Sequence, residues 1–177
     1  MAFWDAIDPL PRPGLLRVVV ESPAGATNKI KYDAQLGTFT LSRPLPLGLS
    51  YPHDWGFVPG TRAPDGDPLD ALVLSEGTTY PGLVIAARPL GLLRLEQNRK
   101  EGGGRERNDR LVAVAASAAR REVEAVSGLP RRVREELERF FLDIVFFEAK
   151  DPKLLGWGGP DEAWTLVQSS LAHRHVG

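Results

Sequence analysis

The order of strand-like and helix-like segments is the feature that most constrains how this chain can fold. Short apolar runs rich in β-branched residues, separated by proline- and glycine-rich turns, fill the first two thirds of the sequence. They predict strands at 15–21, 38–42, 69–74, 82–95 and 111–117. The segment 43–67 is dense in proline and glycine, which predicts ordered loop with short edge pieces.

Helical periodicity follows in the last third of the chain. Pro130 can occupy the first turn of a helix running to about Glu148. One face of this helix carries the apolar residues Val133, Leu137, Phe140, Phe141 and Ile144. A second helix is predicted to begin near Pro160, with Ala163, Leu166, Val167, Ser170 and Leu171 facing inward. Five or more short strands followed by two helices indicate an α+β fold, with a small barrel or sandwich packed by helices.

Composition bounds the class of protein. The 177 residues carry a net charge of −1 and no cysteine, which excludes disulfides and thiolate metal sites and argues against a basic nucleic-acid-binding surface. No apolar run approaches the roughly 20 residues of a membrane span, and the N-terminus does not resemble a secretory signal. We therefore expect one soluble, cytoplasmic domain over residues 1–177 that binds neither nucleic acid nor membranes.

Segment 96–109, EQNRKEGGGRERND, differs from its surroundings. Three consecutive glycines and dense charge interrupt two predicted strands. On composition alone this segment is predicted to be a flexible surface insertion.

Three aspartates, Asp65, Asp67 and Asp70, lie within six residues at the start of an apolar run. The Asp-Gly dipeptide between prolines explains Asp65 and Asp67 as turn residues, but it does not explain Asp70 inside the run. A calcium-binding EF-hand loop is rejected because its sixth position requires glycine and is occupied by Asp70. Carboxylates this close repel one another, and a hard cation such as Mg²⁺ or Mn²⁺ relieves that repulsion. Since Mg²⁺ commonly binds beside phosphates, the next question is whether the sequence also supplies cations for a phosphate.

The sequence Asp-Gly-Asp-Pro-Leu-Asp at 65–70 resembles the signature of the soluble, family I inorganic pyrophosphatases. Segments VVVESPAGATNKIKYD (18–33) and LSRPLPLGLSYPHDWGFVPGT (41–61) resemble two further blocks of that family, and the resemblance extends over about residues 15–172. It implies a mainly β, five-stranded closed barrel of the oligonucleotide-binding (OB) type with two flanking α-helices. It also implies Mg²⁺-dependent hydrolysis of pyrophosphate by a homo-oligomer.

The resemblance also assigns roles by position. Asp65 and Asp70 would be metal ligands, and Asp67 would be the general base beside the metal. Phosphate oxygens would be held by Lys29, Arg43 and, at the family's lysine position, Arg110. Glu21 would support the acidic cluster. Standing alone, Lys29 and Arg43 are also explained as surface cations, and Glu21 as a solvent-exposed residue at a strand end.

Several positions depart from the family pattern. Lys31 stands in place of a glutamate, Trp55 in place of a phosphate-binding tyrosine, and Ile144-Val145 in place of a Tyr-Lys pair. Two metal-binding aspartates match Gln97 and Asn108, whose amides carry no charge. Charged residues of segment 96–109 offer replacements. The acidic ones are Glu96, Glu101, Glu106 and Asp109, the basic ones are Arg99, Lys100, Arg105 and Arg107, and Arg94 just before the segment is a further basic candidate.

Three functions are compatible with this sequence. The first is a divergent pyrophosphatase, or a Mg²⁺-dependent hydrolase of a related phosphoanhydride. The second is a catalytically weak or inactive relative that binds phosphate or metal or serves as an interaction module. The third is an oligonucleotide-binding barrel, which the scattered tryptophans disfavour. The intact aspartate triad, together with Lys29 and Arg43, favours the first.

Overall fold

The structure, a computed structural model, describes residues 3–119 and 122–171. The strands of these residues are β1 (Leu16–Ser22), β2 (Asn28–Asp33), β3 (Thr38–Pro44), β4 (Asp54–Val58), β5 (Leu69–Leu74), β6 (Val84–Asn98), β7 (Arg105–Arg107), β8 (Arg110–Ala115) and β9 (Lys153–Gly158). The α-helices are α1 (Arg131–Asp143) and α2 (Pro160–Ser170), and short 3₁₀ helices span Phe3–Ala6 and Val126–Gly128. None of the helices described here has the length and apolar character needed to span a membrane.

Five strands close into a ring. The pairing order is β1-β4-β5-β8-β6, and β6 pairs back to β1, with Leu16 opposite Ala87. The β5–β8 pair is parallel and the other pairs of the ring are antiparallel. Strands β7 and β9 extend the sheet from β6, and β2 and β3 form a separate two-stranded sheet. The expected α+β fold, a five-stranded closed barrel of the OB type with two flanking helices, is confirmed.

Successive residues of β5 pack into two different hydrophobic cores, because side chains alternate between the two faces of a sheet. Ala71 and Val73 of β5 belong to the core that includes Ala163 and Val167 of α2. Leu72 between them belongs to the core that includes Leu137, Phe140 and Phe141 of α1. Both faces of β5 are therefore covered, which is why its sequence is apolar at every position except Asp70 rather than alternating.

Segment 43–67 contains a strand that its sequence does not predict. All five residues of β4 are buried, although Asp54 and Gly56 are poor strand formers. Gly56 is required because a Cβ there would lie 1.9 Å from the carbonyl oxygen of Val19. The close approach of β1 and β4, a tertiary contact, decides this strand.

Helix α1 is shorter than predicted. It ends at Asp143 instead of near Glu148, and Phe146 and Phe147 beyond it are exposed. Arg43 donates a hydrogen bond to the carbonyl oxygen of Ile144 at 2.9 Å, which satisfies one of the acceptors that a helix leaves unpaired at its C-terminus. Strand β9 likewise was not predicted from its sequence.

Most of segment 96–109 forms a β-hairpin, and its flexibility stays a prediction. Strand β6 continues to Asn98 and pairs with β7, and the glycine-rich part forms the bend between them. Arg105 holds the hairpin through Glu96 at 2.7 Å and Asp151 at 2.9 Å. These cross-strand contacts explain how a glycine-rich, highly charged segment forms paired strands.

Candidate active site

A cavity of about 880 Å³ opens beside the five-stranded ring. All seven residues assigned to the site from the sequence line it: Glu21, Lys29, Arg43, Asp65, Asp67, Asp70 and Arg110. They come from β1, β2, β3, the turn before β5, β5 itself and β8. Residues far apart in sequence thus converge on one cavity, and their individual roles stay a prediction.

The aspartate segment is a turn as well as a cluster. Gly66 has a φ of +87°, a conformation that glycine adopts without strain, and its N–H donates to Ala63. The backbone N–H of Asp67 donates to Oδ1 of Asp65 at 3.1 Å. Asp65 therefore shapes the turn that presents Asp67 to the cavity.

Asp67 is paired with two lysines. Nζ of Lys100, on the hairpin, lies 3.0 Å from its Oδ2, and Nζ of Lys31 lies 3.8 Å away. Partial burial opposes ionisation, but the hydrogen bond from Lys100 and the charges of Lys31 and Lys29 outweigh it, so the pKa of Asp67 lies below its usual value. Asp67 is therefore ionised at neutral pH.

Asp70 is paired with Arg110, whose side chain is only 10% exposed. The guanidinium also lies over the ring of Trp55, 5.3 Å from its centroid. Burial lowers the pKa of Arg110 to about 10, so the group remains charged at neutral pH. The cation at the family's lysine position thus neutralises one of the proposed metal ligands.

The opposite wall carries a second group of charges. Arg43 pairs with Glu148, and Nζ of Lys150 lies 3.1 Å from the other oxygen of Glu148. Burial, followed by the charges of Lys150 and Lys31, lowers the pKa of Lys29 to about 8. Neither Glu148 nor Lys150 was predicted as a site residue, because both follow α1 at positions where the sequence shows no motif.

Glu21 is buried, not solvent-exposed at a strand end. It is 5% exposed, and its Oε1 accepts a hydrogen bond from the backbone N–H of Tyr32 at 2.8 Å. Burial raises the pKa of Glu21 above its usual value.

The acidic residues of segment 96–109 do not replace the missing carboxylates, since none of them lines the cavity. Glu96 pairs with Arg105, and Asp109 pairs with Arg107 and accepts the backbone N–H of Leu95. Among the basic residues considered as replacements, Lys100 is the one that lines the cavity.

The side chains present do not fit a resident divalent cation in this arrangement. Among residues 3–119 and 122–171, no three carboxylate or imidazole groups are placed to hold a metal ion. Asp67 and Asp70 are already paired with basic side chains. Gln97 and Asn108, also in the cavity, are buried amides that bring oxygen atoms without negative charge.

Most of the chain is similar to known proteins. A sequence profile described as inorganic pyrophosphatase matches residues 18–175. The inorganic pyrophosphatase of Synechocystis sp. is 36% identical over 162 residues, covering 91% of this chain and 92% of the relative. That of Thermus thermophilus is 37% identical over 164 residues, covering 90% of each chain. The chain belongs to the inorganic pyrophosphatase family.

Solved pyrophosphatase structures agree with this assignment. The crystal structure of the inorganic pyrophosphatase from Thermus thermophilus matches with a TM-score of 0.86 at 35% identity, covering 97% of this chain and 98% of that chain. A pyrophosphatase from Neisseria gonorrhoeae matches with a TM-score of 0.82 at 29% identity, covering 95% of this chain and 96% of that chain. The resemblance drawn from the aspartate signature is confirmed.

Proposed function

We propose that this protein hydrolyses inorganic pyrophosphate, or a related phosphoanhydride, to phosphate, with residues 1–177 acting as one pyrophosphatase-like domain. One observation carries the proposal: in a member of the pyrophosphatase family, Asp65, Asp67 and Asp70 face one cavity together with Lys29, Arg43 and Arg110. This arrangement supports hydrolysis over the alternative of a binding protein without activity, because Asp67, the proposed general base, shares the cavity with cations suited to a diphosphate.

Hydrolysis requires an attacking water and charge neutralisation. The water oxygen bonds to one phosphorus, the bond from that phosphorus to the bridging oxygen breaks, and the second phosphate leaves. Asp67 is proposed to accept the proton of the water, while Lys29, Arg43 and Arg110 hold the phosphate oxygens. Asp67 becomes a stronger base when Lys100 moves from its carboxylate to the bound substrate, because the contact that lowers its pKa is then lost.

The family is metal-dependent. We assign Mg²⁺, or Mn²⁺ in its place, to the substrate complex rather than to a resident site, since Mg²⁺ is commonly held by one or two carboxylates together with substrate phosphates. Asp65 and Asp70, with Asp67 beside them, are the carboxylates that would contact it. A divalent ion held there would neutralise phosphate charge and supply Lewis-acid chemistry.

The decisive experiment measures phosphate release from pyrophosphate with Mg²⁺ and with EDTA. We expect release that requires Mg²⁺ and that is lost in Asp67→Asn, with Arg99→Gln as a control because Arg99 is exposed and does not line the cavity. Pyrophosphate binding without phosphate release at any Mg²⁺ concentration would establish the binding-protein alternative instead.

Self-association is part of the proposal. Phe146 and Phe147 are 72% and 82% exposed and contact each other edge to face at 5.1 Å. Exposed aromatic pairs of this kind are typical of protein interfaces. We expect a homo-oligomer that Phe147→Ser weakens, measured by light scattering coupled to size exclusion. The cytoplasmic location stays a prediction.

A further inference from the structure

We propose that this cavity binds the diphosphate group directly through side-chain cations, without a resident divalent ion, and that Lys31 and Lys100 are substrate-binding residues. The inference concerns the same cavity as the proposed hydrolysis and rests on that proposal for its ligand. It assigns to protein side chains the charge neutralisation that the resemblance assigns to metal ions.

The balance of charge in the cavity favours an anion. Six basic side chains line it: Lys29, Lys31, Arg43, Lys100, Arg110 and Lys150. Five acidic ones do so: Glu21, Asp65, Asp67, Asp70 and Glu148. Six cations against five carboxylates leave a formal charge of +1 before any metal is added. A site built to hold several divalent ions would instead carry an excess of carboxylates.

The basic side chains already contact the carboxylates that a metal would require. Lys31 and Lys100 both contact Asp67, and Arg110 contacts Asp70. A divalent ion would have to displace these cations, one of which is buried, and a displaced buried guanidinium would lose its partner at a large cost in free energy. The negative charges of Asp67 and Asp70 are therefore already neutralised by basic side chains without a metal ion.

Lys100 is placed to exchange Asp67 for a phosphate. Its side chain is 55% exposed and lies beside the glycine bend of the hairpin, whereas Arg105 anchors the strands behind it. Lysine is a flexible point charge with three donors, so a small shift of the chain transfers its ammonium group between nearby oxygens. A diphosphate carries more negative charge than one carboxylate and competes well for this group.

Lys29 adds a second favourable contribution. Its ammonium is crowded by Lys150, Lys31 and Arg43, which together with burial disfavour its charged form. An anion bound among these groups relieves the repulsion. Anion binding is thus favoured on both walls of the cavity by charges of the chain itself.

The test is isothermal titration of pyrophosphate into the full-length protein in buffer containing EDTA. We expect binding by the wild type and an affinity lower by about tenfold or more in Lys31→Gln and in Lys100→Gln, because each loses a charge-assisted contact. Arg99→Gln is the matched control, since it removes one positive charge from the same hairpin outside the cavity, and its affinity should equal that of the wild type. Lys31 and Lys100 are about half exposed, so both variants are expected to fold, which thermal melting verifies.

Two results would overturn the inference. One is a wild type that binds pyrophosphate only after Mg²⁺ is added. The other is an equal loss of affinity in Arg99→Gln and Lys100→Gln, which would show a general effect of net charge.

A second measurement uses Mn²⁺ alone, followed by electron paramagnetic resonance. We expect little bound Mn²⁺ in the wild type and more in Lys31→Glu, which removes a competing cation and adds a carboxylate. Tight Mn²⁺ binding by the wild type without pyrophosphate would contradict the inference.

Failure here is distinguishable from failure of the proposed function. Mg²⁺-dependent phosphate release without binding in EDTA would overturn the inference and leave the hydrolysis standing. Binding of pyrophosphate in EDTA without phosphate release under any condition would support the inference and overturn the proposed hydrolysis.

Discussion

Asp70→Asn is expected to destabilise the metal-free protein. The substitution removes the negative charge opposite Arg110, whose side chain is 10% exposed, while Asp70 itself is 28% exposed. Removing one partner of a fully buried ion pair costs about 3–5 kcal/mol, and an exposed pair contributes at most about 1 kcal/mol. Because this pair is partly buried and asparagine keeps one acceptor oxygen, we expect a loss of about 2 kcal/mol in the free energy of unfolding.

The sign of this effect separates two descriptions of the aspartate cluster. If mutual repulsion among the carboxylates dominated, removing one charge would stabilise the protein. In the structure Lys31, Lys100 and Arg110 already neutralise Asp67 and Asp70, so removing the charge leaves a buried cation unpaired. The predicted loss should lower the melting temperature by about 4–8 °C for a chain of this size.

The assay is urea denaturation in EDTA at neutral pH and one fixed protein concentration, supported by thermal melting. Asp65→Asn is the matched control. Asp65 is absent from the ion pairs of the described residues, and its asparagine can still accept the N–H of Asp67, so we expect a change below about 0.5 kcal/mol. The double variant with Arg110→Met should recover part of the loss, because the unpaired cation is gone. An Asp70→Asn protein as stable as the wild type would refute this account of the site.

Four further expectations follow from the same cavity. Asp67→Asn should lower kcat by about 100-fold or more without weakening pyrophosphate binding in EDTA, because it removes the base and releases two lysines; unchanged turnover would exclude Asp67 as the base. Gln97→Asp combined with Asn108→Asp should raise Mn²⁺ affinity measured by calorimetry, since two charged ligands are added; no gain would show that these positions do not face the metal. Since the pKa of Lys29 is about 8, the affinity of the wild type for pyrophosphate in EDTA should fall between pH 7 and pH 9. The affinity of Lys29→Arg should fall less, because arginine keeps its charge over this range. Parallel pH profiles of the two proteins would show that Lys29 does not contact the anion. The raised pKa of Glu21 means that its contribution to stability is complete below its unfolded pKa and is lost as the pH rises through its folded pKa. The free energy of unfolding of Glu21→Gln, measured by urea denaturation, should therefore increasingly exceed that of the wild type from pH 4 to pH 7. A difference that does not change with pH would contradict this prediction.

The sequence was sufficient for the elements whose burial follows a local pattern. Strand β5 has the predicted bounds, because a run that is apolar except at Asp70 indicates a strand buried on both faces. Helix α2 begins at Pro160 as predicted, with proline in its first turn. The resemblance that begins with the aspartate signature was also sufficient to identify the family and to name seven residues that line one cavity.

Only the tertiary structure decided what each charge contacts. Lys100 and Asp67 are 33 positions apart, and Arg110 and Asp70 are 40 apart, so no local pattern connects them. Their contacts depend on the pairing of β5 with β8 and on the hairpin that extends β6, which together bring distant segments to one cavity. Strand β4 has the same origin, because its glycine is needed only where β1 passes close to it. Periodicity and burial are local properties of a sequence, whereas the partner of a charged side chain is set by strand pairing across the whole fold.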